Sequence, residues 1–271
     1  MILYFIYLLF SPFLWLALFI YSFFNDKVRE KMKQQNLTVK KAIRIIENDR
    51  GRKEVVIFHA ASAGEYEQIK PLLGRINRKK FFILQTFASP TIYNVENKSD
   101  LFDVCCYLPF DFFISSYLFF KKTRAVYFIN TRHDVWPNSV VCCKLLKIKS
   151  VIVNANLHIK SMKIKPVVKN LYSFLYSQID LIFCPSKRIE KVFNQIGINN
   201  NLIVAADTRI NQIINRSKES SKNIFDNRLK EYSNIVFGSI DKIDINVIVG
   251  AMNDAYPNKN EDIKNKKQKI I

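Results

Sequence analysis

The chain has 271 residues, 49% hydrophobic, 13% aromatic and 24% charged, a balance that supports a folded core and excludes a disordered or collagen-like chain. Forty-two Lys and Arg against 23 Asp and Glu leave a net charge of +19, so the partner is anionic: nucleic acid, an acidic membrane surface, or a phosphorylated or carboxylated substrate. Six glycines and no self-similarity at repeat spacing exclude a solenoid, and five cysteines without C-x-x-C spacing give neither a disulfide framework nor a zinc ribbon.

Residues 2–24, ILYFIYLLFSPFLWLALFIYSFF, carry no charge. As a helix they would run roughly 35 Å, enough to cross a hydrocarbon core of about 30 Å. The run is too long for a signal peptide and lacks a basic start and a small-residue cleavage site, so 1–24 is expected to be a retained membrane anchor. Pro12 and the aromatic residues leave a slanted or hairpin insertion into one leaflet open as well. The segment that follows, 25–54, has ten Lys or Arg against five acids between Asp26 and Glu54, which by the positive-inside rule keeps the rest of the chain in the cytoplasm.

Short apolar runs then alternate with helical patterns. Strands are expected at 55–60, 80–88, 105–109, 125–130, 150–155, 181–186 and 201–207, and helices near 65–77, 110–121, 137–147, 166–177 and 187–196. Such alternation predicts a parallel sheet covered on both faces, a doubly wound, Rossmann-like α/β domain over 55–214. Ligands then sit at the carboxyl ends of the strands. A polar stretch, 215–233, reads as a linker. Beyond it, 234–253 offers one strand and one helix of a second domain that stops short of the usual size, and 254–271 is a lysine-rich tail.

Three strand-to-helix loops carry candidate chemistry. In His59-Ala60-Ala61-Ser62-Ala63-Gly64-Glu65, small side chains (Ser62, Ala63, Gly64) let a ligand approach the backbone, and the start of a helix favours an anion. Ser62-x-x-Glu65 is equally a capping box, in which the carboxylate only answers a backbone amide. Arg132-His133-Asp134-Val135-Trp136-Pro137-Asn138 follows the strand at 125–130; His133 and Asp134 form either an acid/base pair or ordinary loop polarity. Asn154-Ala-Asn-Leu-His-Ile-Lys-Ser161 ends the next strand, and its polar groups serve a substrate or the loop itself.

The order of HAASAGEYEQIKPLL, HDVWPN, NANLHIKS, IDLIFCPS and ADTR resembles the Kdo transferase family, membrane-associated enzymes that attach 3-deoxy-manno-octulosonic acid (Kdo) to lipid A precursors. The resemblance covers about 1–213 and fades by 253. It implies a GT-B-type glycosyltransferase in which the N-terminal domain holds the acceptor, the C-terminal domain holds most of the CMP-Kdo donor, and no metal or cofactor takes part. It places the general base at Glu65, an acid at Asp134 where family members commonly carry Glu, and a cation at Arg209. Ser62, Ala63, Gly64, His133, Asn138, Asn154 and Ser161 fall in its substrate-binding segments. This chain departs from the pattern at Arg132, where many members have Glu, and at Ala206, where they have Gly.

The expectation is therefore Kdo transfer to a lipid A precursor on the cytoplasmic face of the inner membrane, with CMP-Kdo, the lipid precursor and an anionic membrane surface as partners. The second domain, expected to be truncated, would come from a separate chain if the enzyme is split. The alternative is a non-catalytic, membrane-anchored module that binds the lipid precursor or a partner chain. Nucleic-acid binding, suggested by charge alone, lacks any reader motif and conflicts with the apolar N-terminus.

Overall fold

The computed structural model describes residues 2–132, 134–219, 233–255 and 268–270. The apolar N-terminus is a helix, α1 (Ile2–Phe24), and the only helix among the described residues long and apolar enough to cross a membrane. Asn25 ends it and caps the next helix, α2 (Asp26–Asp49), through a bond from Val28 N to its side chain of 3.1 Å. There follow β1 (Glu54–Ala60), α3 (Ala63–Leu73), β2 (Phe81–Phe87), α4 (Pro90–Glu96), β3 (Val104–Tyr107), α5 (Phe113–Thr123), β4 (Ala125–Thr131) and α6 (Pro137–Leu145). The domain closes with β5 (Lys149–Val153), a 3-10 turn (Met162–Ile164), α7 (Pro166–Ser177), β6 (Leu181–Cys184), α8 (Lys187–Gln195), β7 (Leu202–Val204) and α9 (Thr208–Glu219).

The seven strands form one parallel sheet in the order β3-β2-β1-β4-β5-β6-β7. This is the doubly wound, Rossmann-like arrangement expected from the sequence, and the half-fold of GT-B-type proteins. Every expected strand and helix of residues 55–204 is present. Because the sheet is buried on both sides, successive residues of β1 serve opposite cores. Val55 and Ile57 join Ala42 and Ile46 of α2, Phe119 and Phe120 of α5, and Cys142 and Cys143 of α6. Val56, Phe58 and Ala60 join Tyr66, Ile69 and Leu73 of α3. Each fully buried aliphatic or aromatic side chain contributes about 1.5–3 kcal/mol, so the two faces of β1 anchor the domain.

Three features lie outside the sequence expectation. The basic segment 25–54 is mostly the helix α2, and its buried face belongs to the domain core. The seven-residue α4 is new. Helix α9 runs five residues into the stretch expected as linker. The chain separates into two compact units, Met1–Ile214 and Asn215–Ile271. Within the second, β8 (Ser233–Ile235) pairs in parallel with β9 (Gln268–Ile270), and α10 covers Lys242–Ala255.

Candidate active site

The sheet order reverses between β1 and β4, so the loops after these two strands diverge and leave a crevice at their carboxyl ends. Both leading candidates occupy these loops. After β1 the chain turns through Ala61 to Gly64, and Ser62, Ala63 and Gly64 are all exposed. A Cβ placed on Gly64 would meet nothing within 4 Å, so this turn faces open space. The capping box exists: Glu65 N donates to Ser62 Oγ at 3.4 Å, while Glu65 Oε2 accepts from Ala61 N at 2.8 Å and Ser62 N at 3.2 Å. Both of the latter bonds fall on Oε2, so capping uses one oxygen of the carboxylate. The structural and chemical readings of Glu65 are therefore compatible in one side chain.

Asp134, three residues past β4, is the second acid. Its backbone is fixed at both ends: its N–H donates to Thr131 O at 3.4 Å, and the Asn130 side chain donates to its carbonyl. Burial, followed by the nearby negative charge of Glu65, lifts its carboxyl to about 7 against the opposing pull of Lys163 and Lys31. Its Oδ2 lies 3.7 Å from His59 Nε2, and both atoms are buried without a hydrogen-bond partner. This contact is not an ion pair, because burial and then Lys31 depress His59 to about 3 and keep the imidazole neutral. His59 Nδ1 is 3.0 Å from Thr86 Oγ1, which itself donates to Phe58 O.

Two lysines missed by sequence reasoning complete the cluster. Burial lowers both Lys31 and Lys163 to about 8. Lys31 Nζ lies 4.4 Å from the centre of the Phe110 ring. A helical spacing was the available signal: Lys31, Gln35, Thr38, Ala42 and Ile46 share one face of α2, and Gln35 and Thr38 accept from Phe110 N and Tyr107 N. Lys163 also lines an open depression of about 470 Å³ with Asn156, His158, Lys160 and Ser161. The Ser161 hydroxyl additionally accepts from Lys163 N at 3.3 Å.

The remaining sequence candidates have other uses. Asn138 is fully buried; its amide spans Tyr4 Oη and the Asp111 carbonyl, so it is an internal strut and not a ligand-facing group. Asn154 has a left-handed backbone (φ 52°) and accepts from Thr208 N at 3.1 Å while donating to Thr208 Oγ1 at 2.6 Å. Thr208 Oγ1 donates in turn to Gln68 O at 2.7 Å, which joins β5, α3 and the start of α9. Arg209 is engaged by Asp207, its Nη2 lying 2.6 Å from Oδ2. Burial raises Asp207, yet the bonds from Arg209 outweigh it and hold the carboxyl below its usual range. His133 lies outside the described residues. Among the described residues, no group of three His, Cys, Asp or Glu side chains is placed to hold a metal ion.

Fold and site together define a Rossmann-like half of a GT-B-type protein, with paired acids at the switch point of its sheet. Solved structures agree on the fold. A structure from Listeria monocytogenes assigned as a UDP-N-acetylglucosamine 2-epimerase superposes with a TM-score of 0.56 at 12% identity, over 80% of this chain and 61% of that one. MnaA from S. aureus in complex with UDP gives 0.53 at 13%, over 79% and 65%. The 2-epimerase from Rickettsia bellii gives 0.52 at 10%, over 80% and 61%. The chain thus spans about three fifths of the length of these structures. No curated protein sequence matches it. The profile of the family described as 3-deoxy-D-manno-octulosonic-acid transferase (kdotransferase), N-terminal domain, matches residues 30–212, and the chain belongs to that family.

Proposed function

We propose that the domain is the acceptor half of an enzyme that transfers Kdo from CMP-Kdo to a lipid A precursor at the cytoplasmic face of the inner membrane. The observation that carries this reading is the pairing of Glu65 and Asp134 at the carboxyl ends of β1 and β4. The two acids stand in unlike surroundings: Glu65 is held by two backbone amides, and Asp134 keeps its proton to about pH 7. Glu65 is the base. Its Oε2 stays on the capping amides while Oε1 takes the proton of the acceptor hydroxyl as that oxygen attacks the anomeric carbon. Asp134, protonated near neutrality, adds no second negative charge beside Glu65. Lys31 and Lys163 place positive charge beside the acids, and the depression around His158, Lys160 and Lys163 suits a phosphate of the lipid. Arg209 would assist the departing nucleotide only by leaving Asp207. The donor is held mainly by the second domain of the fold, and the apolar α1 with the basic α2 supplies the membrane anchor.

The test is Glu65→Gln in the whole protein that carries this domain, assayed for transfer of Kdo to the lipid precursor. Gln completes a capping box as Glu does, so the urea midpoint should hold. Activity should fall by about 10²–10⁴, the usual contribution of a general base. Retained turnover rejects Glu65 as the base. Lipid binding without transfer in the parent protein would favour the anchored, non-catalytic module.

A further inference from the structure

Helix α1 is exposed along nearly its whole length, from Phe5 through Leu9, Phe13 and Leu16 to Phe24. Yet both of its ends are fastened to one side of the domain. At the start, Tyr4 Oη donates to Asn138 Oδ1 at 2.9 Å, and the Tyr4 ring packs on Phe174 with centroids 6.2 Å apart. One turn later, Tyr7 Oη donates to the carbonyl and to Oδ2 of Asp111, each at 3.1 Å. These partners are interior groups. Asp111 Oδ2 also receives Asn138 N at 2.9 Å, and Oδ1 receives Ser139 N and Ser139 Oγ at 2.9 Å, so the tyrosines close a network that caps the start of α6.

At the other end, Asn25 leads directly into α2. Within the first two turns of α2, Glu30 accepts from Asn94 Nδ2 at 2.9 Å and Lys31 lies over Phe110. The loop at 110–111 therefore receives Tyr7 from α1 and Lys31 from α2.

A helix that crosses a bilayer has its ends separated by about 30 Å of hydrocarbon, in two different aqueous compartments. The start of α2, with Asp26, Lys27 and Arg29, must remain among headgroups or water. The Asp111 carboxyl that Tyr7 reaches from the opposite end of α1 is buried within the domain, so that end must lie on the domain's side too. The two requirements agree only if both ends of α1 lie on the domain's side of the membrane.

We propose that α1 does not traverse the bilayer but is immersed in the acyl chains of the single leaflet that faces the domain, its first turn returning to dock on the start of α6. This inference rests on the membrane-anchored reading given above and goes beyond it. Anionic headgroups meet Lys27, Arg29, Lys33 and Lys40 of α2 beside the immersed helix. The docked turn also ties the depth of insertion to the site, because α6 begins directly after the loop that carries Asp134 and Trp136.

The experiment places one cysteine in a short polar tag ahead of Met1, and a reference cysteine at the exposed Lys98 of the domain, in the full-length protein. Sealed inside-out inner-membrane vesicles are treated with a membrane-impermeant maleimide, before and after detergent, with the untagged protein as background for the native cysteines. Labelling of tag and Lys98→Cys from the same side, with the protein retained after carbonate washing, is the expected result. A tag protected until detergent is added, while Lys98→Cys reacts, overturns the inference and leaves the anchor intact. Release of the protein by carbonate overturns both the anchor and the inference.

Discussion

Replacement of Asp134 by Asn should make the domain more stable and less active, and the gain should depend on pH. In the folded chain this carboxyl titrates at about 7, whereas in the unfolded chain it titrates near 3.8. Between those values the native state holds a proton that the unfolded state has released. Stability therefore falls as pH rises through that window, and the full penalty is present above about 7. At about 1.36 kcal/mol per pH unit the ceiling is roughly 4 kcal/mol. With 19% of the side chain open to solvent, screening reduces this to about 2 kcal/mol. Asn carries no charge at any pH. In detergent at pH 8, Asp134→Asn should raise the unfolding temperature by roughly 4–8 °C, as about 2 kcal/mol does in a domain of this size. At pH 4.5, near the foot of that window, the difference should shrink to about 1–2 °C. Differential scanning fluorimetry at both pH values reads the difference directly. An equal shift at both, or none at pH 8, would refute the claim that burial and Glu65 hold this acid protonated.

Gly64→Ala should fold with unchanged or slightly higher stability, since the added Cβ meets no atom within 4 Å and Ala favours the helix by about 0.5–1 kcal/mol. If a ligand approaches this turn, acceptor binding should weaken several-fold, measured by the KM for the lipid. Asp111→Ala removes the acceptor of Asn138 N, Ser139 N and Ser139 Oγ; it should cost about 3 kcal/mol or more, read from the urea midpoint. Lys31→Met withdraws a positive charge that opposes protonation of Asp134 and His59. The basic limb of the pH–rate profile, where Asp134 loses its proton, should move to higher pH, and an unmoved limb would mean that Lys31 has no electrostatic part in the site.

The strands were readable because Val, Ile and Phe runs such as VVIFHA and FFILQTF have no alternative to burial on both faces. Helix α2 was not, because its buried face mixes Lys31, Gln35 and Thr38 with Ala42 and Ile46. A basic composition hides an amphipathic pattern whose polar members bond to loop backbone at Tyr107 and Phe110. For the site, the loops that carry Glu65 and Asp134 were legible because each lies a few residues past the end of a strand. Lys31 was not, since only the tertiary fold brings α2 over these loops. Asn138 and Asn154 show the converse. A polar residue at a strand end looks the same in sequence whether it faces a ligand or satisfies its neighbours, and here both are spent on Tyr4, Asp111 and Thr208.

The adjacency of β1 and β4 bears on how domains of this family can diversify. The acids follow neighbouring strands about 4.8 Å apart: Glu65, five residues past β1, is held by the amides of Ala61 and Ser62, and Asp134, three residues past β4, is held through its own backbone by Thr131 and Asn130. Their separation is thus inherited from the sheet, while the exposed loops around them are free to change length and composition. On the proposed reading, new acceptors would be admitted by rewriting the rim without retuning the chemistry at its centre.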